Sequence, residues 1–373
     1  MRQSGPGTGK GTWCVGVYEI KKAQLEQIAA HRENLRHNPS LHWLFFEITQ
    51  KCNLFCRHCG SRCITTGDSL SVEDIRNVLT TIEGMDKPAI CLTGGEPLLH
   101  PDFFDIADCI RNAGFHWGMT SNGTLIDETT AAQLSKAGMS SISVSLDGLE
   151  QSHDELRQCK GAWKLALRGI RALQNAGFSP QVTTVLNPHN FSDAEPLYAL
   201  LNELGVKSWR LINTEPIGRA CEAHDLLLSS KEFAQMLSFI RAKRYDPACT
   251  MEVTFGCSHY LGVGYERMVR DHYFLCGAGI LTASVRANGD ICGCLDIENR
   301  PELVQGNIRK DRFADVWKNR FELLRRDRTA DCVRCQNCRE RMLCGGDAAH
   351  TWDWNRNEPL LCYDDFRGEL TSA

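Results

Sequence analysis

No apolar run in this 373-residue chain approaches the ~20 residues that a membrane span needs. The opening stretch MRQSGPGTGKGT lacks the apolar core of a secretion signal, which points away from export. Positive charge is not in excess either. Lys and Arg number 42 against 46 Asp and Glu, a net charge of −4, whereas duplex-binding domains are normally basic. These absences leave a cytoplasmic globular protein, with no membrane and no nucleic-acid partner expected. Composition is ordinary at 42% hydrophobic and 24% charged, and length over ~150 suggests two to three domains. What is abundant is cysteine, with 19 residues. Secreted disulfide scaffolds are typically shorter than ~80 residues and denser in cysteine. Clustered cysteines in a long cytosolic chain more often bind metal or do redox chemistry.

Residues 1–12 are Gly-rich and read as a disordered tail. Gly5-x3-Gly9-Lys10-Gly11-Thr12 is not a phosphate loop: Ser4 stands where Gly is required, Gly11 where Ser or Thr is, and no strand precedes it. Residues 19–37 read as a helix, completing an N-terminal segment 1–42. From Trp43 the pattern becomes regular. Strands are expected at 43–49, 89–93, 116–120, 141–146, 181–186 and 208–213. Capping boxes at Ser71/Asp74 and Ser229/Glu232 open helices that run to about Glu83 and Arg244. Four helix ends share one form, Gly114-Phe115, Gly138-Met139, Gly177-Phe178 and Gly205-Val206, where glycine ends the helix and an apolar residue turns toward a strand. Six strand–helix units at roughly 30 residues each fill 43–249. Alternation with short connections implies parallel strands, in either an open doubly wound sheet or an incomplete barrel.

After residue 250 this rhythm stops. Nine of the cysteines lie from Cys257 onward. One amphipathic helix carries Phe313, Val316, Trp317, Phe321 and Leu324. The segment 250–373 is expected to fold around metal rather than a large apolar core.

Chemistry-bearing residues sit where the strands end. Cys52-x3-Cys56-x2-Cys59 follows the first strand, Gly94-Gly95-Glu96-Pro97 the second, Ser121-Asn122-Gly123 the third and Asp147-Gly148 the fourth. In parallel α/β folds the carboxyl ends of the strands build the site. Three thiolates can hold three irons of a [4Fe–4S] cluster and leave the fourth open. With Cys63 as a fourth ligand, zinc is the alternative.

The Cys52-x3-Cys56-x2-Cys59 motif, followed by Gly94-Gly95-Glu96-Pro97, resembles the radical S-adenosylmethionine enzymes over about 43–244. The resemblance implies an α/β fold, a partial (β/α)6 TIM-like barrel, whose cluster chelates S-adenosylmethionine through its open iron. By similarity, Gly94, Gly95 and Glu96 would hold the methionine amino group. Ser121, Asn122, Ser145 and Asp147 would line the ribose and methionine side, and Arg157 would face the cofactor carboxylate. His58 stands where the family usually has an aromatic residue.

The C-terminal pattern is Cys276-x12-Gly289-x4-Cys294, then Cys335-x2-Cys338-x5-Cys344-x17-Cys362. It is similar to the Cys-rich SPASM iron–sulfur extension of radical enzymes that modify peptides, which carries two auxiliary [4Fe–4S] clusters. One would take Cys335, Cys338, Cys344 and Cys362, the other Cys276 and Cys294 with further ligands. The family places another cysteine shortly after the third of the run, where this chain reads Cys344-Gly-Gly-Asp347. Asp347, Cys292 or Cys332 are the spare donors, and zinc is the alternative for this region taken alone. The other cysteines (14, 91, 109, 159, 221, 249 and 257) read as small buried hydrophobes. His42, His116 and His259 read as structural, and Arg325-Arg326-Asp327-Arg328 as a solvated helix end.

The resemblance implies an oxidoreductase that modifies a precursor peptide or protein, commonly by a carbon–carbon or thioether crosslink. It also implies an external electron donor of flavodoxin or ferredoxin type. With some 42 residues before the first strand, leader recognition is expected to be absent, abbreviated or supplied by a separate protein. Asp296, or failing it Asp290, is the expected proton acceptor, because related enzymes place a catalytic Asp beside the equivalent of Cys294. The rivals are a related enzyme acting on a small molecule or tetrapyrrole, and a non-catalytic iron–sulfur electron carrier. The carrier has no need of Gly94-Gly95-Glu96-Pro97.

Overall fold

The computed structural model describes residues 22–256 and 258–372; the tail 1–12, the start of the first helix at 19–21, Cys14 and Cys257 lie outside the described residues. Ten strands form one sheet: β1 (Trp43–Thr49), β2 (Ala89–Gly94), β3 (Trp117–Ser121), β4 (Ser141–Ser145), β5 (Gln181–Leu186), β6 (Ser208–Asn213), β7 (Glu252–Phe255), β8 (Thr282–Val285), β9 (Asp290–Cys292) and β10 (Gly306–Asn307). Their order is β10-β9-β8-β1-β2-β3-β4-β5-β6-β7, so the sheet is open, with β7 and β10 at its edges. β1 to β6 pair in parallel and in sequence, the six parallel units that the alternation predicts and the partial barrel that the resemblance implies.

Local chemistry sets the helices. Ser71 Oγ accepts the Asp74 N–H at 3.0 Å and the Asp74 carboxylate accepts the Ser71 N–H at 2.9 Å, opening the helix Val72–Thr81. Ser229 and Glu232 repeat this at the helix Ser230–Arg244. At the four expected helix ends the N–H of Phe115, Met139, Phe178 and Val206 returns to the carbonyl five residues earlier, closing the last turn. Strand alternation then divides the two faces. On β5, Val182 and Leu186 are buried, while Thr183 and Val185 line a cavity on the opposite face. Each fully buried Leu or Ile of this layer stabilises by about 1.5–3 kcal/mol.

Three expectations change. The sheet does not stop at 249: β7 pairs in parallel with β6, and β8 pairs in parallel with β1, so the 249/250 boundary divides neither the sheet nor the main core. The amphipathic helix is two short helices, Phe313–Asn319 and Glu322–Arg325. They are separated by Phe321 at φ +75°, a ring buried against Trp317, with its N–H donated to Gln305 Oε1 at 2.8 Å. The arginine run is no solvated end. Arg325 donates to the carbonyls of Gly279 and Trp317, and buried Arg328 donates to the Asp347 carbonyl. Among the described residues no helix is long and apolar enough to cross a membrane.

Candidate active site and cluster sites

Cys52, Cys56 and Cys59 ride on the loop that leaves β1. Two distant segments hold that loop. From β2, the Gly95 N–H reaches the Thr49 carbonyl at 2.7 Å and the Glu96 N–H the Lys51 carbonyl at 2.8 Å. A Cβ at Gly95 would lie 2.0 Å from the Lys51 carbonyl oxygen, so the two loops can meet only through glycine. After β6, the Arg219 guanidinium donates to the carbonyls of Cys56 (2.7 Å) and Cys63 (2.9 Å) and stacks on the Phe55 ring at 4.2 Å. Arg219 belongs to no motif, and sequence reasoning missed it.

The third and fourth loops are fixed by buried carboxylates. Glu96 is fully buried and accepts from Ser121 Oγ and the Asn122 N–H, both at 2.8 Å. Burial pushes its carboxyl up to about 7 against those hydrogen bonds. Asp147 is also fully buried; it accepts from Arg157 at 2.8 and 2.7 Å and from the Val185 N–H at 2.8 Å. Burial opposes its charge, but the Arg157 guanidinium holds it below the usual carboxylate range. Burial pulls His58 and His153 down to about 4 and about 3, so both rings beside Asp147 are neutral.

These loops enclose one cavity of about 330 Å³. Its wall brings together Cys52, Cys56, Cys59, Gly94, Gly95, Ser121, Asn122, Ser145, Arg157 and Asp296. Glu96, Pro97 and Asp147 lie off the wall, behind the loops they hold. Asp296 is exposed, with a carboxylate oxygen 3.9 Å from the Cys294 sulfur. Asp290 does not line the cavity; it accepts from the side-chain amides of Asn288 (2.7 Å) and Asn307 (2.9 Å).

The far wall was not anticipated. Asn213, Thr214, Glu215, Ser258 and His350 line it. Behind Glu215 lies buried His259, whose ring contacts Glu215 and Asp347, each at 2.9 Å. Burial works against its charge, yet the two carboxylates raise it to about 10, so His259 is a buried imidazolium. Its expected structural role holds. Asp347, expected as a metal ligand, is placed differently: one carboxylate oxygen takes His259 and the other the Tyr260 N–H at 2.7 Å.

The C-terminal cysteines gather in two neighbourhoods. Cys335 faces Cys332, Cys338 and Cys362. Cys276 and Cys344 pack against one small apolar group that includes Tyr260, Phe274 and Leu343. Cys292 is buried beside Arg286 and Glu47, apart from both sets. The described cysteines form no disulfide, and no three His, Cys, Asp or Glu side chains among the described residues converge on a single metal ion. The cavity suits a cluster with a polar cofactor: three sulfurs share its wall with open glycine backbone, and the side-chain oxygens of Asn213 and Thr214 are buried without a partner.

Residues 46–201 match the family model of the radical SAM superfamily, and residues 276–339 that of an iron–sulfur cluster-binding domain, SPASM. The chain is 27% identical over 351 residues to the AdoMet-dependent heme synthase of Oleidesulfovibrio alaskensis, covering 87% of this chain and 88% of that one. It is 27% identical over 311 residues to the mycofactocin maturase MftC of Mycolicibacterium smegmatis, covering 81% and 76%. The fold superimposes on Streptococcus suis SuiB bound to S-adenosylmethionine with a TM-score of 0.69 at 16% identity, over 87% of this chain and 75% of that one.

Proposed function

The chain carries the radical SAM and SPASM domains and is a radical S-adenosylmethionine enzyme with [4Fe–4S] clusters; on that premise we propose that it oxidatively modifies a ribosomally made peptide or protein, forming a carbon–carbon or thioether crosslink. Charge in the cavity carries this reading. Among the described lining residues the arginines are Arg157 and Arg219, and both are bound to protein atoms. The carboxylates on the wall are Glu215 and Asp296. A tetrapyrrole with ionised carboxylates would meet the Asp296 carboxylate without a free cation, Glu215 being paired with His259, whereas a neutral or basic peptide segment suits it.

Cys52, Cys56 and Cys59 would hold the cluster, which with bound S-adenosylmethionine would supply hydrogen-atom abstraction by a 5′-deoxyadenosyl radical. Gly94 and Gly95 offer close backbone approach, and Ser121, Asn122, Ser145 and Arg157 orient the cofactor. Glu96 and Asp147 keep those groups in place from behind. Asp296 takes the proton that the oxidised substrate releases, beside Cys294 at an auxiliary cluster site. An external flavodoxin- or ferredoxin-type donor supplies electrons.

The second reading is a tetrapyrrole substrate, favoured by the similarity to heme synthase. Two assays on the reconstituted protein separate them. One follows the Soret band of added iron coproporphyrin. The other follows the mass of peptides encoded by short reading frames beside the gene. We expect a peptide to lose two hydrogens and the porphyrin to remain unbound and unchanged. Porphyrin turnover with no peptide change would reverse the assignment.

A further inference from the structure

Cysteine sulfurs in this chain divide by the hydrogen bonds they make. One group gives its S–H to a carbonyl oxygen: Cys63 to Gly94, Cys91 to Leu92, Cys221 to Pro216 and Cys249 to Met251. These sulfurs act as thiols, and so does Cys294, a ligand position whose S–H goes to the Asp296 carboxylate at 3.9 Å. A second group accepts backbone N–H groups. Leu54 N–H points at the Cys52 sulfur at 3.4 Å, Ala349 N–H at Cys276 at 3.3 Å and Asp347 N–H at Cys344 at 3.2 Å. All three belong to the ligand pattern read from the sequence. Backbone donors aimed at sulfur stabilise the thiolate, which is the form that binds metal, and so mark a ligand position.

Cys332 belongs to the second group although the ligand pattern does not include it. Its sulfur accepts the Cys335 N–H at 3.2 Å, and it opens the helix Val333–Gln336. It is 1% exposed and packs with Cys335 and Trp352. Cys332-x2-Cys335-x2-Cys338 is also the spacing by which three thiolates of one turn bind a single cubane. Arg341, held by Asp327 at 2.8 Å and by Thr329 Oγ1 at 2.7 Å, lies within electrostatic reach of both thiols.

We propose that Cys332 is a thiolate ligand of the second auxiliary [4Fe–4S] site, together with Cys335, Cys338 and Cys362. Cys344 is then released to the first site, where it shares its apolar surroundings with Cys276 and where the family's further cysteine is missing from the run Cys344-Gly-Gly-Asp347. Cys362 stands between the sets, facing Cys335 and Cys344 alike. The first site would hold Cys276, Cys294 and Cys344 and keep one iron without a protein thiolate. This assignment does not depend on the identity of the substrate.

The test is iron content and the EPR spectrum of the dithionite-reduced full-length chain after anaerobic reconstitution, for C332S, C335S and the double variant. We expect each single variant to lose about four irons and the same EPR component, and the double variant to lose no more than either. Wild-type iron and spectrum in C332S would overturn the proposal, as would losses that add in the double variant, which would place Cys332 elsewhere. If C332S unfolds, the thermal midpoint in the C335S background decides. No further drop on adding C332S supports a ligand; a further drop indicates a packing role and overturns it.

Discussion

The Arg157 guanidinium joins the Asp147 carboxylate, at 2.8 and 2.7 Å, to the Cys56 sulfur, at 3.8 Å. One buried cation thereby ties the loop after β4 to the cysteine loop after β1. The fork reaches two acceptors at once, which a lysine cannot reproduce. Arg157→Ala would leave Asp147 charged, buried and unpaired, a loss of about 3–5 kcal/mol. Arg157→Lys should recover part of that stability but not affinity for S-adenosylmethionine. Urea unfolding and cofactor binding measure the two effects. A change below about 1 kcal/mol in Arg157→Ala would contradict the buried-pair account.

Cys52→Ala, Cys56→Ala and Cys59→Ala should each abolish 5′-deoxyadenosine formation while leaving the absorbance of the auxiliary clusters. The three sulfurs share the cavity wall, and the auxiliary cysteines lie on other segments. A single such variant that formed 5′-deoxyadenosine at the wild-type rate would refute the assignment.

Gly95→Ala tests how closely the β2 loop must approach. Its Cβ would sit 2.0 Å from the Lys51 carbonyl oxygen and 3.0 Å from Cys52 Cβ. The cysteine loop would have to move, at a cost of about 1–3 kcal/mol. We expect lower iron retention and weaker S-adenosylmethionine binding, with far-UV circular dichroism unchanged. Normal retention and binding would show that the loop tolerates displacement.

The parallel strand–helix units were legible because their signals are local, whereas their closing into a partial barrel rested on the resemblance. Ser71 and Asp74 are three residues apart, each Gly-terminated helix closes on itself, and the six strands alternate within a few residues. The cavity followed from one rule, that loops after parallel strands converge. What stayed hidden depends on distance along the chain. β8 pairs with β1 through Trp43 and Thr282, and the four-residue β7 is too short to stand out. Phe321 breaks a helix that its apolar spacing would continue, because Gln305 captures its N–H. Arg219 and the Glu215–His259–Asp347 group arise from contacts between residues far apart in sequence, which leave no periodic trace.

That buried group gives the fold a pH dependence. The imidazolium of His259 titrates at about 10 in the folded chain against an ordinary value near 6.5. A raised value means that its contribution is complete below about pH 6.5 and is lost as pH rises through about 10, at up to ~1.4 kcal/mol per pH unit. A variant carrying Glu215→Gln, His259→Gln and Asp347→Asn removes all three charges. Chemical unfolding of both proteins between pH 6 and 10 should show the wild type losing stability relative to the variant. Parallel profiles would mean that the three groups are not coupled as the 2.9 Å contacts require.

Asp296 offers the sharpest test of the proposed chemistry. It is the exposed carboxylate of the cavity wall, beside Gly60 and the Cys294 sulfur, while Glu215 is already held by His259. Oxidation of a substrate radical releases a proton and an electron, and Asp296 stands where both can leave on the proposed assignment, at the wall and next to Cys294, the proposed auxiliary ligand. Asp296→Asn keeps the shape and removes the base. Product formation should fall by about 10²-fold or more, the usual loss for an acid–base group, while 5′-deoxyadenosine continues to form without product. Iron content should be unchanged, which separates a lost base from a damaged cluster. Product formed at the normal rate would eliminate Asp296 and direct attention to Glu215, the other carboxylate on the wall.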